Sequence, residues 1–442
     1  MSQMFQNTEL TRRRVLQLFG AGAGVAAVAA CAPSAPSSTP TSAAGDPTSA
    51  EPTMAPPEDF SFASWSLAED APKAVIQANL DAFAADSGIT ITPASYPYNE
   101  YLNQLILQVQ GGQFSGAAQL DIAWLATLAS LGKLVDLADL AEGRGYTASA
   151  LAAGTFDGVQ YGLPWTAAAI GLVANSEVLG RVGATEIPET IEDFEALLRE
   201  LKALGGGLIP YAASTKVAQL KDVQVWMQTF GSKLVENGEV TIGDDASVAA
   251  LTWYKKLYDE GLVAPDVDRF DARSLFAQGT VGLYDDAPAG RPAVLKASPD
   301  TELGSKLLPG ARPVVASGDT PRAQAWGHTV VVVDGPGADT AAQFVQWLTS
   351  DEDVVVDYFT QLGLPPTTDA GLASSEVAAD AFIAAFTEKI TATASPSPFW
   401  VFPNYGQIDS AINEKVQAAL IGQQDPATAL AQAREAAQGL IG

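Results

Sequence analysis

The stretch F-S-F-A-S-W at 60–65 opens the region that decides the fold. Its apolar residues alternate with small polar ones, which predicts a β-strand. Helices and strands are then predicted in turn, at 72–86 (helix), 89–92 (strand), 99–110 (helix) and 120–124 (strand). This alternation predicts an α/β fold in which helices cover a largely parallel sheet. Ligands of such sheets bind beyond the carboxyl ends of the strands, where Trp65 and Trp124 lie.

Helical patterns continue through the rest of the chain. The clearest is 188–204, where Thr190 is the predicted N-cap, Asp193 lies three positions later, and the glycines at 205–207 end the helix. Other predicted elements are a strand at 329–333 and helices at 246–260, 338–349, 406–421 and 426–440. With 442 residues, the chain has room for two domains.

The N-terminal end has the features of an export signal over residues 1–30. Three arginines at 12–14 precede a short apolar run at 18–30, and the run leads into V-A-A-C at 28–31. The run is too short to span a bilayer, which needs ~20 apolar residues. V-A-A-C resembles a bacterial lipobox, which implies cleavage before Cys31 and attachment of lipid to its sulfur. The alternative is a buried structural cysteine.

The sequence is compatible with two export routes. Arg12 and Arg13 resemble the pair in a twin-arginine (Tat) signal, whereas Val15 and Gln17 depart from its usual pattern. Both the Tat and the Sec route are therefore kept.

The segment 31–57 is predicted to be a lipidated, disordered tether. Beyond Cys31 it consists almost entirely of Ala, Pro, Ser, Thr, Gly and Glu. Such a composition buries too little apolar surface to offset the entropy of ordering the chain. The tether is expected to hold the folded body clear of a membrane.

Composition excludes several classes of function. The chain has 51 acidic and 24 basic residues and a formal net charge of −27. A surface of this sign repels phosphate backbones and anionic lipids, so no nucleic-acid partner is expected and membrane contact is expected through the lipid anchor alone. One cysteine in 442 residues leaves no disulfide to stabilise the fold.

The sequence offers little catalytic chemistry. His328 is the one histidine, so no His/Cys metal cluster is expected, and no G-x-S-x-G or Walker A motif is present. Asp285-Asp286 is the most enzyme-like pair, but adjacent residues of a strand point to opposite faces, which is poor geometry for a catalytic dyad. No catalytic residue, metal or cofactor is predicted.

Several motifs follow one another in a fixed order through the folded body. They are D-I-A-W with L-A-S-L-G-K-L-V-D-L within 121–137, F-D-G-V-Q-Y-G-L-P-W at 156–165, G-L-V-A-N-S-E-V-L at 171–179, P-E-T-I-E-D-F-E-A-L at 188–197, A-L-T-W-Y-K-K-L-Y-D-E-G-L-V-A-P-D at 250–266, F-A-Q-G-T-V-G-L at 276–283, G-L-P-P at 363–366 and G-Q-Q-D-P-A-T-A-L at 422–430. In this order they resemble the extracellular solute-binding proteins of bacterial ABC importers, in the carbohydrate-binding branch to which maltose-binding proteins belong. Ala174 and the pair Asp285-Asp286 depart from the aromatic residues that the family often has at or near these positions.

The resemblance implies a monomeric, non-enzymatic receptor with two α/β lobes that close on a ligand about a hinge. The lobes carried over from the family are 58–165 with 312–367, and 166–311 with 368–442. It further implies capture of a sugar or oligosaccharide and delivery to an ABC permease, on the outer face of the cytoplasmic membrane.

A sugar site is predicted from the aromatic residues at strand ends, crossovers and loops. A flat ring suits the C–H face of a pyranose, and polar neighbours fix the hydroxyls of the sugar. For each loop tryptophan, packing in the core is the alternative. Trp253 and Trp347 lie inside helices and are expected in the core, Trp226 is undecided, and one tyrosine of Tyr96, Tyr98 and Tyr101 is expected at the cleft. The expected site residues are Trp65, Ser66, Glu69, Tyr98, Trp124, Trp165, Asp285, Asp286, Trp326, Gly327, His328, Trp400 and Tyr405.

The predicted cleft is acidic. The motifs assigned to it carry Glu69, Asp121, Asp285 and Asp286, so a neutral or cationic ligand is expected rather than a phosphorylated one. The other functions kept open are a secreted carbohydrate-active enzyme, an adhesion or scaffold lipoprotein, and a receptor for a non-sugar solute such as a polyamine.

Overall fold

A computed structural model describes residues 56–441 of the chain. The predicted export signal at 1–30, the lipid attachment at Cys31 and the tether up to residue 55 lie outside the described residues. The last two tether residues, Pro56 and Pro57, are exposed and belong to no helix or strand.

The strands are short except for two. They are, in chain order, β1 (Phe60–Ala63), β2 (Ile91–Ala94), β3 (Gly116–Asp121), β4 (Thr155–Phe156), β5 (Val159–Gln160), β6 (Gly162–Asn175), β7 (Ile209–Ala212), β8 (Val235–Glu236), β9 (Glu239–Val240), β10 (Val281–Asp286), β11 (Leu307–Gly310), β12 (Ala323–Val333) and β13 (Ala394–Ser395).

The helices lie between and after these strands. They are α1 (Lys73–Ser87), α2 (Tyr98–Gln110), α3 (Leu125–Ala129), α4 (Ala138–Ala141), α5 (Ala148–Ala153), α6 (Ser176–Gly180), α7 (Ile191–Ala203), α8 (Asp222–Thr229), α9 (Asp245–Asp259), α10 (Arg269–Ala277), α11 (Gly290–Ala297), α12 (Leu303–Lys306), α13 (Ala338–Ser350), α14 (Glu352–Leu362), α15 (Asp369–Leu372), α16 (Ser375–Ala379), α17 (Ala381–Lys389), α18 (Tyr405–Leu420) and α19 (Pro426–Ile441). No helix of the described part of the chain is long and apolar enough to span a bilayer.

The predicted cap of α7 is confirmed. The Thr190 side chain accepts a hydrogen bond from the backbone N–H of Asp193 at 3.2 Å and donates to the Asp193 carboxylate at 2.7 Å. Gly205 to Gly207 follow with φ of 69°, 66° and 84°, a left-handed conformation that glycine adopts without strain.

The main sheet has the strand order β2–β1–β3–β12–β6–β10–β7, with β11 beside β6 and β13 beside β12. Pairing is parallel at both ends of this order, among β2, β1 and β3 and between β10 and β7. In the middle, β12 and β6 run antiparallel to each other and to their outer neighbours β3 and β10. The prediction of a largely parallel sheet is therefore wrong in the middle.

The antiparallel middle of the sheet is built around the long strand β6. It pairs with β12 up to Ile170 and with β10 and β11 from Gly171 onward, so a single strand joins the two parallel groups. We call the group β2, β1 and β3 the β1 end of the sheet, and the group β10 and β7 the β10 end.

Large buried side chains pack at both ends of the sheet. Phe62 and Phe344 belong to a core at the β1 end, and Phe194, Trp226 and Ile412 belong to a core at the β10 end. The lobe boundaries at 58–165 with 312–367 and 166–311 with 368–442 stay a prediction.

Candidate ligand-binding site

A cavity of about 690 Å³ lies between elements of the β1 end and helices α10 and α11. Cavities of this size hold a small organic ligand. Seven of the predicted site residues line it, namely Trp65, Ser66, Glu69, Tyr98, Asp286, Trp326 and His328.

One side of the cavity, which we call the aromatic wall, consists of Trp65, Tyr98, Trp326 and His328. Trp65 begins a 3₁₀ turn directly after β1, and Ser64 caps this turn by accepting from the backbone N–H of Ser66 at 3.1 Å. The Trp65 ring meets Tyr98 edge-on, with ring centroids 5.5 Å apart, and meets His328 at 4.8 Å. These edge-to-face contacts fix the orientation of each ring.

Hydrogen bonds hold the aromatic wall from behind. The Tyr98 hydroxyl donates to the Asp121 carboxylate at 2.8 Å, and the other Asp121 oxygen accepts from the backbone N–H of Ala123 at 3.0 Å. Asp121 ends β3, so the strand sets the position of Tyr98 on the neighbouring helix. Of the three tyrosines considered from the sequence, Tyr98 is the one that lines the cavity, as predicted.

His328 is a neutral member of the aromatic wall. Burial lowers its pKa to about 4, although the charge of Asp121 acts in the opposite direction. Its Nδ1 lies 3.0 Å from Nε2 of Gln119, whose Oε1 accepts from the Ser64 hydroxyl at 2.5 Å. Because Nδ1 accepts in this arrangement, the ring proton is on Nε2.

The opposite side, which we call the charged wall, consists of Lys221, Arg269, Arg273 and Asp286. Arg273 forms a bidentate pair with Asp286, with Nε 2.7 Å from Oδ2 and Nη2 2.9 Å from Oδ1. Burial lowers the pKa of Arg273, but the charge of Asp286 outweighs it, so the pKa lies above its usual range. The guanidinium is therefore permanently charged.

Gly290, the first residue of α11, makes room for this pair. A Cβ atom at position 290 would lie 1.7 Å from Oδ2 of Asp286 and 2.7 Å from Nε of Arg273. The close approach of α11 to the ion pair therefore requires glycine.

Asp285 lies on the other face of β10, away from the cavity. It accepts hydrogen bonds from the Tyr211 hydroxyl and from Nη2 of Arg312, and Arg312 also donates to the Ile170 carbonyl at 3.1 Å. The prediction that Asp285 and Asp286 point to opposite faces is confirmed. The expectation that both lie at the site is corrected for Asp285, which belongs to a buried structural pair.

Two acidic residues follow the turn at Trp65. Burial raises the pKa of the Glu69 carboxyl, Arg273 acts to lower it, and Asp286 acts to raise it. Asp70 lies at the rim with its side chain 94% exposed, and one of its oxygens is 4.0 Å from Nζ of Lys296.

Three more predicted site residues lie away from the cavity because they pack in the core. The Trp165 side chain is 1% exposed and stacks on Tyr358, with ring centroids 4.6 Å apart. Gly327 lies within β12, where a Cβ would approach the Thr166 carbonyl oxygen to 2.5 Å, so it serves the packing of β12 on β6. Trp124 packs against the rings behind Trp65 and lies in a 3₁₀ turn after β3 rather than in the strand.

Trp400 and Tyr405 are the last of the predicted residues away from the cavity. They form an edge-on pair with ring centroids 6.4 Å apart and pack against the core at the β10 end. For the three tryptophans among these residues, Trp124, Trp165 and Trp400, the structure favours the packing alternative. Trp253 and Trp347 pack in the core as predicted, and the undecided Trp226 is fully buried there.

Sequence reasoning missed most of the charged wall. Arg269, Phe270 and Arg273 lie on one face of α10, and Phe270 approaches Tyr98 across the cavity with ring centroids 6.4 Å apart. The available signal was the spacing R-F-x-x-R after the N-cap Asp268, since Arg273 comes four positions after Arg269 and three after Phe270, the two spacings that make side chains neighbours on a helix.

The cavity is not acidic, which corrects the prediction made from the motifs. Four cationic residues line it, and three carboxylates oppose them. The cationic residues are Lys221, Arg269, Arg273 and Lys296, and the carboxylates are Glu69, Asp70 and Asp286. No group of three or more His, Cys, Asp or Glu residues within 56–441 is placed to hold a metal ion.

Aromatic rings and fixed ion pairs that line one cavity are typical of a site for a small polar ligand. Residues 78–385 match the model of the bacterial extracellular solute-binding protein family. The chain belongs to this family.

Known proteins share sequence or fold with this chain. The chain is 26% identical over 247 residues to a binding protein of Brucella abortus, and the match covers 54% of this chain and 60% of that protein. Among solved structures, the GacH receptor of Streptomyces glaucescens, solved unliganded and with acarbose, has a TM-score of 0.79 at 22% identity, covering 87% of this chain and 98% of that one.

Two further structures share the fold. Maltose-bound T. maritima MalE3 has a TM-score of 0.77 at 20% identity and covers 87% of this chain and 100% of that one. The sugar-binding protein MalE of Xanthomonas citri has a TM-score of 0.71 at 16% identity and covers 87% and 97%. The predicted α/β fold of a periplasmic-binding protein is confirmed by these likenesses.

Proposed function

We propose that this protein captures a sugar or oligosaccharide outside the cell and delivers it to the permease of an ABC importer. The observation that carries the proposal is the pairing of an aromatic wall with a charged wall across one cavity of about 690 Å³. Membership of the extracellular solute-binding family supports the role of a receptor rather than an enzyme.

The two walls suit the two kinds of surface that a pyranose presents. Rings such as Trp326 and Tyr98 offer apolar faces and edges to the C–H groups. The carboxylate of Glu69 and the pair of Arg273 with Asp286 offer an acceptor and a preformed donor–acceptor set to the hydroxyls. Solved relatives that hold acarbose or maltose support the same class of ligand here.

Contacts across the cavity support closure on the ligand. Tyr98 and Phe270 come from the two sides, and Asp70 approaches Lys296 at the rim. In our proposal the two lobes hinge about the crossing strands β6 and β12, with the boundaries 58–165 plus 312–367 and 166–311 plus 368–442.

A ligand panel tests the proposal. The full chain is titrated with neutral mono- and oligosaccharides, uronates and polyamines, and tryptophan fluorescence and calorimetry report binding while chromatography reports products. Saturable binding of one saccharide class with no product supports a receptor. Consumption of the sugar supports the enzyme alternative, binding of polyamines alone supports a non-sugar receptor, and no response to any small molecule supports a scaffold.

We further propose that lipid at Cys31 anchors the protein to the outer face of the cytoplasmic membrane, where the monomer meets its permease. The motif V-A-A-C at 28–31 and the export signal before it support this placement. A Cys31→Ala variant should leave the membrane fraction for the soluble one, with the native chain as the control. Retention of the variant in the membrane fraction contradicts the anchor.

A further inference from the structure

The charged wall contains one cationic group without an ion pair among the described residues, Lys221, and one that is paired with a carboxylate, Arg269. Lys221 is half-buried and forms no ion pair within residues 56–441. Arg269 is 9% exposed and donates from Nη2 to Asp222 at 2.6 Å and from Nε to the Asp285 carbonyl at 3.3 Å. Its Nη1 has no hydrogen-bond acceptor in the described part of the chain, so this nitrogen remains a donor for a ligand in the cavity.

The segments that carry Lys221 and Arg269 are in contact with each other. The backbone N–H of Arg269 donates to Oε1 of Gln219 at 3.0 Å, and Gln219 lies two residues before Lys221. Gln219, Lys221 and Arg269 all line the same cavity. The segments that carry the two cations therefore border one cavity.

Two carboxylates of this region are engaged elsewhere. Both oxygens of Asp286 accept from Arg273, at 2.7 and 2.9 Å. The charge of Lys221 acts to lower the pKa of Asp409, but the two carboxylate oxygens of Asp409 accept from Gln224 at 2.8 Å and from Asn413 at 3.0 Å. Lys221 therefore lines the cavity without an ion-pair partner among residues 56–441.

We propose that the pocket binds a saccharide with one carboxylate group, a uronate, and that Lys221 and Arg269 receive this carboxylate. Closure on a neutral sugar would remove water from an unpaired ammonium, which is costly, whereas a carboxylate supplies the missing acceptor. A phosphate dianion suits the site less well, because Glu69 and Asp286 line the same cavity and repel the second charge. The inference deepens the proposed function and rests on it.

Matched ligands test the inference on the full chain. Cellobiouronic acid is compared with cellobiose, and digalacturonic acid with galactobiose, by calorimetry, with glucose 1-phosphate as the phosphate arm. At least one uronate should bind about tenfold or more tighter than its neutral partner. Lys221→Met should remove that preference, measured as the ratio of the two affinities, and Lys221→Arg should restore most of it.

Lys233→Met is the matched control, since Lys233 is an exposed lysine that does not line the cavity. Neutral sugars binding as tightly as uronates, or Lys221→Met weakening both equally, overturns the inference and leaves the sugar receptor intact. Preference for glucose 1-phosphate overturns the assignment of a carboxylate. Failure of every saccharide to bind overturns the proposed function itself, and the inference with it.

Discussion

The two walls of the cavity hold their side chains by different forces. The aromatic wall is fixed by ring contacts and by hydrogen bonds that run back into β3, such as Tyr98 to Asp121 at 2.8 Å. The charged wall is fixed by ion pairs, such as Arg273 with Asp286, that lie on a buried network of further charges. Because the aromatic wall depends on ring packing around one imidazole and the charged wall depends on ion pairs, substitutions and pH should act differently on the two walls.

Asp285 and Asp286 show the difference within two adjacent residues. Asp286 faces the cavity with Arg273, while Asp285 faces the interior with Arg312, whose side chain is fully buried. Behind the charged wall, Asp285 and Asp222 therefore depend on buried guanidinium groups for their charge balance.

The largest expected effect comes from breaking the support behind the charged wall. Arg312→Met leaves Asp285 buried with the Tyr211 hydroxyl as its remaining donor. Removing one member of a buried ion pair costs about 3–5 kcal/mol, so the free energy of unfolding should fall by that amount in urea titrations. Arg322→Met, at an exposed position, is the control and should change it by less than about 0.5 kcal/mol. A loss below about 1 kcal/mol for Arg312→Met would show that the network is not needed.

The aromatic wall should show its own pH dependence through His328. Its pKa in the folded protein is about 4, below the ordinary 6.5, because burial disfavours the charged ring. The unfolded chain therefore takes up the proton first, and stability that is fully present above pH 6.5 is lost as the pH falls toward 4, by about 3 kcal/mol.

Urea titrations from pH 7 to pH 4 should find that His328→Gln loses less stability than the native chain over this range. Asp409 acts in the opposite direction, since burial raises its pKa to about 6. It is present in both proteins, so the difference between them isolates His328. Equal pH profiles for the two proteins would contradict the buried neutral ring.

A third prediction tests how closely helix α11 must approach the charged wall. In Gly290→Ala the new methyl would overlap the carboxylate of Asp286, so its pair with Arg273 must open. Stability should fall by about 2 kcal/mol, and affinity for the ligand by about tenfold. Gly406→Ala, in the first turn of α18 with open space around its Cβ position, is the control and should have neither effect.

The smallest expected effect lies where the two sides meet at the rim. Asp70→Asn removes an ion pair to Lys296 at 4.0 Å whose side chains are 94% and 63% exposed. Exposed pairs contribute little, so stability and affinity should change by less than about 0.5 kcal/mol in the same measurements. A larger loss of affinity would show that rim contacts hold the closed form.

Much of the fold could be predicted because its signals are local. The Thr190 cap, the alternation of strands with helices, and the opposite faces of Asp285 and Asp286 depend on residues close in sequence. The antiparallel middle of the sheet could not be predicted this way, since it depends on which distant strand β6 pairs with at each position.

The residues of the candidate site also divide into those that local sequence patterns predict and those that depend on distant parts of the chain. Trp65 and Tyr98 follow strand ends and helix starts, positions where sequence patterns favour a ligand. Trp165 has the same local signal, yet it is buried because the middle of the sheet is covered on both faces. Arg269 gains its place from Asp222 and Gln219, which lie about fifty positions earlier, and no local pattern carries that information.

The pairing of β3 with β12 also means that β3 is synthesised well before its partner strand. Gln119 and His328 contact each other across 209 positions of sequence. At about 5–20 residues per second, a ribosome releases β12 roughly 10–40 s after β3. Throughout that interval β3, which is buried along its whole length in the finished protein, has an uncovered edge and apolar faces. Such edges pair with other chains, so β3 is a place where the unfinished chain is open to aggregation until β12 covers it.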